Sequence, residues 1–206
     1  MLLHIHPKNP EPKKIKTVID CLNDGGVIIY PTDTVYSIGC LLNKSKGIER
    51  VAKIKGVKPE KANFSIVCHD LSNISEYSRH VNTNIYKIMK KALPGPFTFI
   101  LDASNKVPKF FNADKKEVGI RIPDHLIPLE IVKLAGVPLI STSVHDDDEV
   151  IEYTTDPELI YERYEMKVDI VIAGGYGNNV ASTVINCTSG LPEIVRQGIG
   201  VTDDLF

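Results

Sequence analysis

Apolar residues recur along this chain at two alternating periods, and the alternation itself describes an architecture. Residues 1–12 hold three prolines and little periodicity, so they read as an irregular arm or a short edge strand. From 13 to 23, Ile15, Val18, Ile19 and Leu22 form a stripe at helical spacing, and Asp24-Gly25-Gly26 stops it. A short apolar strand follows at 27–30, a second at 37–42, and a helix at 46–55 with Ile48, Val51, Ala52 and Ile54 facing inward. The pattern then predicts a strand at 64–68, a helix over 82–93 halted by Pro94-Gly95-Pro96, and strands at 97–101 and 118–122. Helix at 126–134 has its regular part downstream of Pro128, and strand 138–143 follows. Asp156-Pro157 opens a helix through 164, and strands at 168–173, 183–186 and 194–197 complete the series.

This exchange of helix and strand argues an α/β fold (α+β in some schemes), a twisted mixed β-sheet flanked by helices. The connections are too uneven for a complete series of parallel crossovers. A length of 206 residues suits one domain, taken as 13–200 between an arm at 1–12 and a tail at 201–206. No apolar run approaches the ~20 residues that span a bilayer. The start shows no cationic leader ahead of an apolar core, so the expected location is cytoplasmic, with no membrane partner. Cys21, Cys40, Cys68 and Cys187 lie far apart and read as buried thiols rather than a disulfide framework or zinc site.

A net charge of −2 argues against a wholesale basic nucleic-acid binder but leaves a local basic face open. Charge is segregated: residues 44–61 carry seven bases and two acids, and residues 146–169 carry ten acids and two bases. Two solvated surfaces explain this, as does a basic site for an anion with an acidic rim elsewhere.

Chemistry-bearing residues collect at strand ends. Tyr30-Pro31-Thr32-Asp33-Thr34-Val35-Tyr36 follows a buried strand, where open α/β sheets present loop groups to ligands, although a plain turn reads similarly. Lys53, Lys55 and Lys58 flank a helix C-terminus, which favours cations by itself. Arg121 sits among Val118, Ile120 and Ile122, so its guanidinium needs an internal carboxylate or an anionic ligand. Ser141-Thr142-Ser143, Ser182-Thr183 and Arg196 supply further donors, without a nucleophile elbow. No metal ligand is assigned: Asp146, Asp147, Asp148 and Glu149 lack EF-hand spacing, His4 and His6 lie on the arm, and His69, His80, His125 and His145 form no HExxH.

Taken in order, YPTDTVYSIGC at 30–40, NFSIVCHDLSNIS at 63–75, PGPFTFIL at 94–101, VGIRIPDH at 118–125, PLISTS at 138–143 and STVIN at 182–186 resemble the YrdC-like family, most closely its YciO-type branch. The resemblance spans about residues 15–200. It implies a concave basic face that binds double-stranded RNA or tRNA. It also implies kinship with synthases that make threonylcarbamoyl-AMP from L-threonine, bicarbonate and ATP, releasing pyrophosphate. On that resemblance, Thr32, Thr34, Tyr36 and Arg121 line the amino-acid region. Lys55, Lys58, Ser141, Ser143, Ser182 and Arg196 hold nucleotide and phosphates, and Lys44, Lys46, Arg50, Lys53 and Lys61 form the RNA face.

Two departures fall on the nucleotide side. The synthases' Lys-x-Arg reads Lys55-Gly56-Val57 here, with Lys58 adjacent, and their Ser-x-Asn reads Ser141-Thr142-Ser143. A lysine cannot reproduce arginine's bidentate fork, nor a serine an asparagine's reach. The leading expectation is an RNA-interacting protein with a nucleotide or anion cleft, linked to tRNA modification or translation and to tRNA-modification proteins. The alternatives are a working threonylcarbamoyl-AMP synthase and a metabolic enzyme of another substrate. No tightly bound cofactor is expected; ATP and Mg2+ belong to the synthase reading.

Overall fold

The computed structural model describes residues 1–108, 116–144, 154–203 and 205. Helix α1 (Pro12–Asn23) opens with proline in its first turn, where an N–H would have no partner anyway, and buries Ile15, Val18 and Leu22. At about 1.5–3 kcal/mol per fully buried aliphatic side chain, that stripe rather than helix propensity holds it in place. Helix α2 (Ser45–Ile54) buries Ile48, Val51 and Ala52, with Ile54 only partly covered. A one-turn helix α3 (Ile74–Tyr77) precedes α4 (Thr83–Ala92), which Asn82 caps by accepting from the Ile85 N–H at 2.9 Å. Helix α5 (Leu126–Ala135) contains Pro128 in its first turn, so the helix begins ahead of that proline rather than after it. It ends on Gly136 at φ 66°, a left-handed stop that a side chain disfavours. Asp156 caps α6 (Pro157–Tyr164) through the Glu158 N–H at 2.9 Å.

The strands are β1 (Leu2–His4), β2 (Ile28–Tyr30), β3 (Ser37–Gly39), β4 (Ser65–Val67), β5 (Phe97–Asp102), β6 (Glu117–Arg121), β7 (Leu139–Ser143), β8 (Ile170–Ala173), β9 (Thr183–Asn186) and β10 (Glu193–Arg196). Among the described residues they form one sheet in the order β1-β8-β2-β3-β7-β4-β6-β5-β9-β10. Pairings are parallel for β1–β8, β2–β8, β4–β6 and β5–β9, and antiparallel elsewhere, so the sheet is mixed. The N-terminal segment supplies an edge strand. The strand read over 37–42 stops at Gly39, with Leu41 forming only an isolated bridge to Leu139. The acidic residues Asp146, Asp147, Asp148 and Glu149, with His145, lie outside the described residues.

Side chains alternate across a strand, so successive residues report which face is covered. One face carries the larger apolar cluster, including Ile29, Ile38, Ile66, Phe97, Phe99, Val118, Ile120 and Ile140. The opposite face is covered only in part, where α1 and α5 pack on Ile28, Tyr30, Val67, Leu139, Ile170 and Ile172. Two residues along β4 from Val67 stands Ser65, and two along β7 from Leu139 stands Ser141. The same face thus changes from apolar and helix-covered to polar and open. That uncovered half of the sheet is the concavity.

Candidate functional site

The open half-face encloses a cavity of about 390 Å³ lined by residues of β3, β4, β5, β6, β7, β9 and β10 and their loops. Its floor is made of small and hydroxylic side chains, Ser65, Thr98, Gly119 and Ser141. Gly119 keeps it deep. A Cβ there would stand 3.2 Å from Ser65 Cβ and 3.3 Å from Thr98 Cγ2. The volume falls within the ~300–1,000 Å³ range of small-molecule sites.

Arg121, at the end of β6, is 5% exposed and projects from this floor. Its Nη2 donates to Asp33 Oδ1 at 3.0 Å and to Thr34 Oγ1 at 3.1 Å. Its Nε is buried with no hydrogen-bond partner among the described residues. Both readings of Arg121 therefore hold at once: an internal ion pair exists, and it leaves part of the guanidinium unused. Burial lowers the arginine's pKa, and burial raises that of Asp33, with Arg121 opposing the shift. Asp33 Oδ2 also accepts from the Asp124 N–H at 3.1 Å, tying the 30–36 loop to the end of β6.

A second cation enters from β10. Arg196 Nη2 donates to the Ser182 carbonyl at 2.9 Å, and Ser182 Oγ lies 2.8 Å from Thr98 Oγ1. No carboxylate among the described residues pairs with Arg196. A third comes from the C-terminus of α2, where Lys55 Nζ donates to the Ser143 carbonyl at 3.2 Å. Backbone carbonyls thus orient two cations without neutralising them.

Of the residues expected at the site, Thr34, Arg121, Ser141, Ser143, Ser182 and Arg196 line one cavity, and Lys55 reaches its edge. Thr32 instead lines an adjoining recess with Asp33, Tyr176 and Asn178. Its Oγ1 donates to the Val35 carbonyl at 2.8 Å and accepts from the Thr34 N–H, which shapes the loop. Tyr36 does not reach the cavity: its hydroxyl donates to the Gly175 carbonyl at 2.6 Å and accepts from the Gly174 N–H, while burial pushes its pKa up to about 12. Lys58 is exposed outside the lining, so it does not stand in for the missing arginine, and Val57 is 41% exposed.

On the proposed RNA face, Lys46, Lys53 and Lys61 are exposed and Lys44 is half-buried. Arg50 is engaged, its Nη1 bonded to Asp169 Oδ2 at 2.8 Å, and that carboxylate also holds the Val27 N–H. The cysteines are all free, with Cys40, Cys68 and Cys187 buried and Cys21 partly so; burial pushes the Cys40 and Cys68 thiols up to about 12. Among the described residues no group of three or more His, Cys, Asp or Glu is placed to hold a metal ion, and no helix is long and apolar enough to cross a membrane.

Sequence reasoning missed Asp33 as Arg121's partner, and missed Ser65, Thr98, Glu117 and Gly119 as lining residues. A signal existed for the last three. In Phe97-Thr98-Phe99 and Glu117-Val118-Gly119-Ile120-Arg121, the non-core residues fall at every second position, which marks one open face.

Comparison with known proteins gives the same architecture. Residues 20–198 match the Sua5/YciO/YrdC family model, described as telomere recombination. A Haemophilus influenzae protein is 38% identical over 97% of this chain and 96% of its own. Escherichia coli YciO is 38% identical over 96% of this chain and 95% of its own, and its crystal structure superposes with a TM-score of 0.91. A threonylcarbamoyl-AMP synthase of Pyrococcus abyssi is 25% identical over 91% of this chain but only 55% of its own length. The crystal structure of P. abyssi Sua5 with L-threonine shares the fold, with a TM-score of 0.84 at 22% identity over 96% of this chain and 57% of that one. The chain belongs to the YrdC/Sua5/YciO family and lies close to its YciO branch.

Proposed function

We propose that this is an RNA-interacting protein whose concave face holds a nucleotide or small anion, with a role tied to tRNA modification or translation. The observation that supports this best is Arg121: a buried guanidinium on a cavity floor with a buried Nε left unpartnered by the surrounding residues. Leaving such a donor unmet costs about 1–3 kcal/mol or more, so an anionic ligand that meets it is stabilised in proportion. Arg196 and the hydroxyls of Ser141, Ser143 and Ser182 extend the same donor surface, which suits phosphate oxygens. Outside the cavity, Lys44, Lys46, Lys53, Lys58 and Lys61 give RNA phosphates an electrostatic face without any base-reading motif.

Fluorescence anisotropy with tRNA and an unrelated duplex RNA tests the RNA half. Saturable binding that weakens steeply with salt is expected, because phosphate contacts release condensed counterions. Neutralising Lys53, Lys58 and Lys61 together should weaken it further. No saturable association at low salt removes RNA from the account.

One observation favours a second reading, a threonylcarbamoyl-AMP synthase. Arg121, Asp33 and Thr34 form a compact group that offers a cation, a carboxylate and a hydroxyl within hydrogen-bond reach of one another. Such a group suits an amino acid, whose carboxylate and ammonium need opposite charges. On this reading ATP and Mg2+ are bound with the substrates, and the protein's part is to bring two anions together against their repulsion. Incubation with ATP, Mg2+, bicarbonate and L-threonine, followed by measurement of threonylcarbamoyl-AMP and pyrophosphate, separates the two readings. Little threonine-dependent product is expected, since Val57 and Ser143 leave two donors short on the nucleotide side. Sustained turnover with stoichiometric pyrophosphate establishes the synthase instead.

A further inference from the structure

Glu117 is the single acidic side chain among the described residues that line the cavity. It stands four residues before Arg121 on β6, so Glu117, Gly119 and Arg121 share the open face. Four rises of about 3.3 Å separate the two Cα positions by roughly 13 Å. Cavity charge is therefore ordered along one strand, guanidinium at one end and carboxylate at the other, with nothing but a glycine between them. Glu117 forms no ion pair or side-chain hydrogen bond with any described residue. Lys116, immediately before it, takes a left-handed backbone at φ 50°, a conformation that side chains disfavour and that tends to persist where placement matters. Beyond Gly119, the wall formed by Ile100, Val184 and Val195 is apolar and suits a flat ring.

We propose that Glu117 reads the base of a nucleotide bound in this cleft and selects guanine over adenine. The inference rests on the reading of the cavity as a nucleotide site and adds its base specificity. Phosphate oxygens belong at the Arg121 and Arg196 end, because Glu117 repels them from its own. The base then lies over Gly119 and Ile100 with its Watson–Crick edge toward Glu117. An ionised carboxylate only accepts hydrogen bonds. Guanine presents two adjacent donors on that edge, N1–H and the exocyclic amine, and a carboxylate accepts both in parallel. Adenine presents one donor beside the N1 lone pair, which the carboxylate repels. A matched bidentate pair discriminates by roughly tenfold to a hundredfold.

Isothermal titration of GMP and AMP into the wild type and Glu117→Gln tests this. The wild type should bind GMP at least tenfold more tightly than AMP. A glutamine amide offers one acceptor and one donor, which pairs with adenine and leaves guanine half-matched. In Glu117→Gln the GMP preference should therefore collapse or pass to AMP. Equal affinities in the wild type, or a guanine preference that survives the substitution, overturn the role of Glu117 while leaving a nucleotide cleft in place. Absence of binding by either nucleotide overturns the nucleotide reading and this inference together.

Discussion

Arg121→Met removes the buried cation and leaves the Asp33 carboxylate, whose side chain is only 10% exposed, without its charge partner. Breaking a buried pair from one side typically costs about 3–5 kcal/mol, because the remaining charge has lost its solvation as well as its partner. For a chain of this size that is a fall in Tm of roughly 6–20 °C. The Asp124 N–H still holds Asp33 Oδ2, which favours the lower half of that range. Urea unfolding of the wild type, Arg121→Met, Asp33→Asn and the double variant closes a double-mutant cycle, and the double variant should recover most of the loss.

The pH dependence carries a sign of its own. Burial already raises the Asp33 pKa against the pull of Arg121, and removing the arginine raises it further. The folded variant then binds a proton more strongly than the unfolded chain, so its stability falls as pH rises from the unfolded value of ~3.9 through the folded one. The Arg121→Met deficit should be smallest near pH 4 and complete once pH exceeds the folded pKa. A loss below about 1 kcal/mol at neutral pH, or a double variant as unstable as the single, refutes the argument that the pair is a mutually dependent buried unit.

Two further outcomes are expected. Gly119→Ala pushes a methyl against Ser65 and Thr98, so thermal melts should show a loss of no more than about 1–3 kcal/mol while nucleotide titration shows weakened binding; unchanged affinity means the floor is not the ligand site. Asp169→Asn removes a carboxylate that burial raises but that Arg50 and the Val27 N–H together hold below its ordinary range. Because both side chains of that pair are about 40% exposed, the loss should be about 1 kcal/mol, present above pH 4 and fading as acid titrates the wild-type group; an equal deficit at pH 3 and pH 7 contradicts this.

Much of this protein is determined by the pattern of its side chains alone. The stripes at 13–23, 46–55 and 82–93 became helices within a residue or two, since each buries one face and ends at a cap or breaker. The mixed sheet followed from strands joined by connections of uneven length. Arg121's need for a partner was equally legible, because a guanidinium between Ile120 and Ile122 cannot stand alone. The identity of that partner was not. Asp33 lies 88 residues away and meets Arg121 only because the sheet order carries β3 and β6 to neighbouring positions across β7 and β4.

Tertiary structure also separated residues that look alike in the sequence. Tyr36 and Thr34 share a loop, yet one hydroxyl is tied to Gly175 while the other meets Arg121. Lys55 and Lys58 are three residues apart, and only Lys55 reaches toward Ser143. The open face itself is a tertiary fact. Val67 and Ser65, or Leu139 and Ser141, point the same way from one strand, and the site exists because α1 and α5 cover the first of each pair and stop short of the second. Local periodicity reports that a side chain faces out of a strand; whether a helix or a ligand lies over it depends on segments far away in the chain.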